Sequence, residues 1–140
     1  MKENLTSHLR FRKLWIVIGW SLVIAVIILS LIPPPPIMSV DYADKIGHLI
    51  AYFVLMGWFA QIYHAPRQRI QFMIGFLLLG AVLEILQGFG GIRYAEWADM
   101  VANSVGVILA WQLTKKRWGY VLSIIERKAC RVVKSLSLFQ

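Results

Sequence analysis

A chain of 140 residues leaves room for one domain. It is 59% hydrophobic and 16% charged, with a mean hydropathy of +0.64, which excludes a disordered or low-complexity chain and is too apolar for an ordinary soluble domain. The lone Cys130 excludes a disulfide-stapled fold, and the net charge of +8 invites a nucleic-acid reading that its placement does not support.

Four apolar runs of near-spanning length follow one another. The first, residues 14–32, reads LWIVIGWSLVIAVIILSLI and is preceded by Arg10, Arg12 and Lys13. It exceeds the ~7–15 residues of a signal-peptide core and no A-x-A site follows, so it reads as a retained anchor. Pro33 to Pro36 stop it, because proline cannot donate a backbone hydrogen bond. The second run, 46–63, contains His48, and the third, 70–89, contains Glu84. The fourth, 97–113, contains Asp99 and Asn103 and at ~1.5 Å per residue is short for a crossing. Beyond it, Val121, Leu122, Ile125, Ala129, Val132, Val133 and Leu136 recur at helical spacing, with basic residues mostly opposite. This tail, 114–140, suits an interfacial helix on an anionic leaflet.

The basic residues set the orientation. Lys2, Arg10, Arg12 and Lys13 precede the first run, Arg67 and Arg69 join the second to the third, and Lys115, Lys116, Arg117, Arg127, Lys128, Arg131 and Lys134 follow the fourth. Only Lys45 and Arg93 fall on the other side, so the positive-inside rule puts both termini in the cytoplasm. The expected fold is an all-α four-transmembrane-helix bundle over 14–113, with a basic N-terminal segment, 1–13, and a basic amphipathic C-terminal helix. The charge is then a matter of topology, and no nucleic-acid partner is expected.

The acids gather at the opposite, outward end. Asp44 and His48 are an i, i+4 pair, as are Asp99 and Asn103, while Glu84 and Gln87 share a face of the third span. One turn is ~5.4 Å, so His48, Glu84 and Asn103 reach a common depth about one turn inside the helix ends. Ionisable groups at that depth face the bundle or water, which implies a polar pocket opening outward. Asp44 and Asp99 also begin helices, where a carboxylate serves equally as a cap. His48 serves as readily as an interhelical hydrogen-bonding residue. Glu84 has no capping position within its own run, and Lys45 or Arg93 is a candidate counterion. His48, Glu84 and Asp99 would make one nitrogen and two carboxylate ligands for a divalent ion, but there is no H-E-x-x-H pair, so no metal or other cofactor is expected. Ser39 and Ser104 lack a nucleophile context, and Gly88, Gly90 and Gly91 suit a tight turn. Trp58, Trp97 and Trp111 read as membrane-interface anchors.

The ordered set Asp44-Lys45, His48, Tyr52, Glu84, Gln87, Arg93, Asp99, Asn103 and Gly106 resembles the VanZ-like family over residues 44–106. Ala110 departs from the pattern, which has a second glycine-like position there, and the GFGGI turn lacks a proline often found before the arginine. The resemblance implies a four-helix, multi-pass protein of the bacterial cytoplasmic membrane acting at the cell envelope. The family's namesake gives low-level teicoplanin resistance, an accessory role in antibiotic resistance. It implies a binding site of Asp44, Lys45, His48, Glu84, Gln87, Arg93, Asp99 and Asn103, and supplies no reaction. The expected partners are membrane lipids and an envelope lipid, a lipid-linked precursor or a lipophilic glycopeptide. The alternative is an intramembrane enzyme on a lipid-linked substrate, with Glu84 and His48 as acid and base or with a metal. A proton-coupled carrier is disfavoured by the scarcity of polar residues below His48.

Overall fold

The computed structural model describes residues 9–32, 41–89 and 96–136. They form α1 (Arg12–Leu31), α2 (Asp41–Ile62), α3 (Pro66–Phe89), α4 (Trp97–Thr114), one 3-10 turn (Arg117–Tyr120) and α5 (Val121–Leu136), with no strand among them. Three helices, α1 to α3, are long and apolar enough to cross a membrane, with mean hydropathies of 2.7, 1.3 and 2.0 in their most apolar windows. Helix α2 begins ahead of the expected residue 46, and α3 starts at Pro66 rather than 70. Hydropathy marks the part of a helix that leaves water, whereas the backbone stays helical through polar ends such as Asp44-Lys45 and Arg67–Arg69. Proline opens α3 because the first helical residue needs no intrahelical donor.

Helix α4 has 18 residues and does not reach the hydropathy of a spanning helix. Its inward stripe explains this: Asp99, Ala102, Asn103, Gly106, Val107, Ala110 and Thr114 are all buried. Asp99 and Asn103, two of the residues that lower its hydropathy most, face protein, so the average over the helix understates how apolar its outer surface is. Outside the stripe, Val101, Val105, Ile108 and Leu109 are exposed.

Helix α2 is the centre of the molecule and contacts every other helix, α4 most extensively. Its Tyr52, Leu55, Met56 and Phe59 are almost completely buried, in one core with Val23, Phe76, Val107 and Ala110. Gly106 makes the α2–α4 contact possible, since a Cβ there would collide with the Leu49 carbonyl and the Phe53 amide. Helix α1 buries only Gly19 and Val23 and turns Val17, Ile24 and Leu29 outward, as a lipid-facing helix does.

At the basic end, charges hold helix termini. Arg69 is buried, and its guanidinium donates to the carbonyls of Ala60 at 2.7 Å, Tyr63 at 3.1 Å and Thr114 at 2.8 Å. It thus caps the C-termini of α2 and α4, where the helix dipoles favour a cation. Glu126 of α5 does the opposite work for α1. Its carboxylate accepts from the amides of Arg10 at 2.7 Å and Phe11 at 3.0 Å and from the Trp15 indole at 2.6 Å.

The tail is therefore helical as its periodicity predicts, but docked. The face of α5 turned to the bundle carries Leu122, Ser123 and Glu126, and Leu122 packs with Leu9 and Ile62. Gln61 accepts from the Leu122 amide at 3.0 Å, and His64 stacks on Tyr120 and donates to the Gly119 carbonyl at 3.2 Å. Ile125 and Ala129 remain exposed. Burial lowers the pKa of His64, helped by the Arg69 charge and opposed by its bond to Gly119. Trp58 is no simple interface anchor, because its indole donates to the Trp15 carbonyl at 3.0 Å and ties α2 to α1.

Candidate functional site

The acidic end is built where α2 and α4 begin and α3 ends. The close α2–α4 approach at Gly106 lies two turns from Asp99 and brings the starts of both helices face to face. Along α2, the i, i+4 spacing sets Asp44 and His48 on that shared face. His48 Nε2 lies 3.8 Å from Asp44 Oδ1 and 3.9 Å from Asp99 Oδ2, so the imidazole sits between two carboxylates on different helices. These separations are electrostatic contacts and too long for hydrogen bonds. Asp99 is buried, while Asp44 and His48 are partly covered.

One turn further in, Asn103 is buried against Gly80 of α3 and Tyr52 of α2. A Cβ on Gly80 would lie 3.3 Å from the Asn103 amide nitrogen and 3.4 Å from the Tyr52 ring, so glycine sets how closely α3 approaches this layer. Glu84, one turn along α3 from Gly80, is 4% exposed and within electrostatic range of His48, Asp99 and Glu96. Its Oε1 accepts from the Glu96 amide at 2.6 Å, at the N-cap of α4. Glu84 thus has a capping duty after all, exercised across the bundle on another helix. Asp99 stands in the first turn of α4, whose N-cap, Glu96, makes no side-chain cap bond of its own.

Lys45 reaches Glu96 at 2.8 Å, a half-exposed ion pair on the rim. Lys45, one of the two cations expected as counterions of Glu84, thus pairs with Glu96. Gln87 donates to the Ser30 carbonyl at 2.7 Å and fixes the end of α1 to α3. Arg93 and the glycine turn at Gly90 and Gly91 lie outside the described residues, as do Pro33 to Pro36. Ser104 donates to the Met100 carbonyl of its own helix at 2.8 Å.

Four buried oxygen atoms are left without a hydrogen-bond partner among the described residues: Tyr52 Oη, Glu84 Oε2, Asp99 Oδ1 and Asn103 Oδ1. Buried polar atoms are paired in the great majority of cases, and each unpaired one costs about 1–3 kcal/mol. Three of the four can only accept, so the cluster is short of donors. Its chemistry favours hydroxyl, amide or ammonium groups, or a cation. An apolar cleft of about 460 Å³ lies elsewhere, between α1 and α3, lined by Trp20, Val23, Ile27, Phe72, Phe76 and Leu79, and shares no residue with the cluster.

The sequence placed Asp44, His48, Glu84, Asp99 and Asn103 at one end, and the structure brings His48 together with both aspartates and couples Glu84 to them. Tyr52 was in the motif but not in the expected site. Its signal was spacing: it follows His48 by four residues and so continues the Asp44–His48 face inward. Arg69 and Glu126 gave other signals, an arginine within a turn of an apolar run and a lone acid among seven basic tail residues. No protein-family model matches the chain, and neither the curated proteins nor the solved structures give a match.

Proposed function

We propose that this chain is a four-span membrane protein of the VanZ-like type, with both termini in the cytoplasm, whose outward polar cluster binds the head of an envelope amphiphile. The ligand class is an envelope lipid, a lipid-linked precursor or a lipophilic glycopeptide, and an accessory role in glycopeptide resistance follows from the last. The observation that carries this reading is the set of buried acceptors on Glu84, Asp99 and Asn103 that have no partner among the described residues, beside a phenol and an imidazole. Such a layer gains most from a head rich in N–H and O–H donors, as sugars, peptides and ammonium groups are. A bare anion would gain little there, so of the envelope amphiphiles the donor-bearing ones fit best.

The test is binding of a lipid-linked envelope precursor to the full chain in nanodiscs, beside glycopeptide susceptibility of cells carrying it. Glu84→Gln and Asn103→Ala should each weaken binding by about tenfold, the value of one lost charge-assisted bond. Unchanged binding together with unchanged susceptibility would overturn the reading. Net turnover of the lipid, lost in His48→Gln, would favour the intramembrane enzyme instead, because His48 lies between two carboxylates that could hold its imidazolium.

A further inference from the structure

Several polar groups of the acidic end tie helices together. Gln87, Lys45 and one oxygen of Glu84 make hydrogen bonds or ion pairs across helices. The trio Asp44, His48 and Asp99 forms a second grouping beside them. One donor atom from each of the three lies within 4.8 Å of the others, yet the His48 contacts are too long for hydrogen bonds. Beside this trio, and independent of it, Glu84 Oε2 and Asn103 Oδ1 have no hydrogen-bond partner among the described residues, on side chains that are each only 4% exposed.

We propose that Asp44, His48 and Asp99 form a binding site for a divalent cation of the zinc class. Around zinc, bonds of ~2.0–2.1 Å put tetrahedral ligands roughly 3.3–3.4 Å apart. The separations of 3.8 and 3.9 Å about His48 Nε2 thus need to close by about half an ångström, and the two carboxylate oxygens must draw together from within 4.8 Å to the same spacing, by rotamer adjustment. Two carboxylates balance the charge of the ion, and the imidazole nitrogen selects zinc over calcium or magnesium, which prefer an all-oxygen shell. The ligands come from two helices whose approach is fixed at Gly106, so the site is assembled by the fold rather than by a flexible loop. Three protein ligands leave a fourth position open, the arrangement of sites that bind or polarise a ligand. A cation there also explains how an acceptor-rich layer could take an anionic headgroup: the ion, and not the protein, would meet its charge.

The site shares the pocket of the proposed function but is measured without any amphiphile. The full chain, purified in detergent and stripped with a chelator, is titrated with Zn²⁺ in competition with a chromophoric chelator and, separately, with Co²⁺. One equivalent of Zn²⁺ should bind in clear preference to Mg²⁺, and Co²⁺ should give the visible absorption of a low-coordinate nitrogen and oxygen site. His48→Gln and Asp99→Asn should each weaken Zn²⁺ by at least about tenfold. His64→Gln and His8→Gln, controls for adventitious histidine binding, should leave it unchanged. Helical circular dichroism of the variants separates loss of ligand from loss of fold, and the wild-type titration stands without them. Absence of saturable Zn²⁺ binding by the wild type, or equal affinity in His48→Gln, overturns the proposal. Zinc binding without precursor binding would sink the amphiphile reading and leave the ion site standing, and the reverse result would do the opposite.

Discussion

The two ends of the bundle both bury charge, and they treat it in opposite ways. At the basic end, Arg69 gives three hydrogen bonds to helix C-termini and Glu126 receives three at the start of α1. At the acidic end, among the described residues, Glu84 uses one oxygen of two, and Tyr52, Asp99 and Asn103 each leave an oxygen unmatched. A buried charge with its bonding capacity filled by helix termini is architecture, since it lowers the cost of ending helices inside protein. A buried charge with capacity left over is carried at a cost, which a ligand can offset. The difference makes opposite predictions for mutations at the two ends.

The largest effect is expected at Arg69. Arg69→Met keeps much of the apolar stem but strands the carbonyls of Ala60, Tyr63 and Thr114. Bonds to a charged group are worth roughly 1.5–3 kcal/mol each and do not add fully, so a loss of about 3 kcal/mol is expected in reversible unfolding from mixed micelles. Arg69→Lys should recover only part of it, because an ammonium cannot span three carbonyls with the planar fork of a guanidinium. A variant as stable as the wild type would break the architectural reading of this end.

Glu126 should show a smaller loss of the same kind. Glu126→Gln keeps an acceptor for the Arg10 and Phe11 amides but removes the charge that suits the N-terminus of α1. About 1 kcal/mol of stability should go. The sharper readout is Cys130, a partly buried thiol one turn further along α5. Its modification by a polar thiol reagent should accelerate as the tail undocks, and equal rates in both proteins would mean that Glu126 does not hold it.

What the sequence revealed follows the same division. Periodicity and hydropathy located all five helices, and the Asp44–His48 and Asp99–Asn103 spacings located the acidic cluster, because i, i+4 pairs are set by local geometry alone. The caps were invisible for a physical reason. Glu84 caps α4, Glu126 caps α1 and Arg69 caps α2 and α4, so each acts on a helix other than its own, and no spacing within one helix encodes that. Charge counting read Arg69 as a topological marker. That role and the capping role are compatible, since a cation at the end of a span can mark the side and bind the carbonyls there. The identity of a ligand lies further still from the sequence, because it depends on which buried atoms are left over after folding.

Acidity should loosen the tail by a modest amount. His64 has its pKa lowered below 6.5, first by burial and then by Arg69, so the folded protein prefers the neutral ring. The unfolded chain therefore binds a proton more readily. This contribution to stability is complete above pH 6.5 and is lost as pH falls toward the lowered folded value. Tail docking, again followed at Cys130, should weaken over that range, and His64→Gln should remove the dependence. A rate unaffected by pH between 7 and 5, after correction for the reagent's own thiolate chemistry, would show that the His64–Gly119 contact does not contribute.

The smallest change in stability is expected at the acidic end, and it is the one that tests the comparison. Glu84→Gln retains an acceptor for the Glu96 amide and replaces the unmatched oxygen by an amide. It removes a buried charge that stands within electrostatic range of His48 but also of the acids Asp99 and Glu96. Asp99→Asn does the same beside His48, at the cost of one charge contact 3.9 Å long. Replacing an imperfectly compensated buried charge by a neutral isostere is often neutral or stabilising, so both variants should unfold within about 1 kcal/mol of the wild type, on either side. They should nevertheless lose binding, which Arg69→Lys should keep for as long as it stays folded. If Glu84→Gln and Asp99→Asn instead cost as much as Arg69→Met, the acidic cluster would be holding the helices together as the basic end does. Its unmatched oxygens would then be no guide to a ligand.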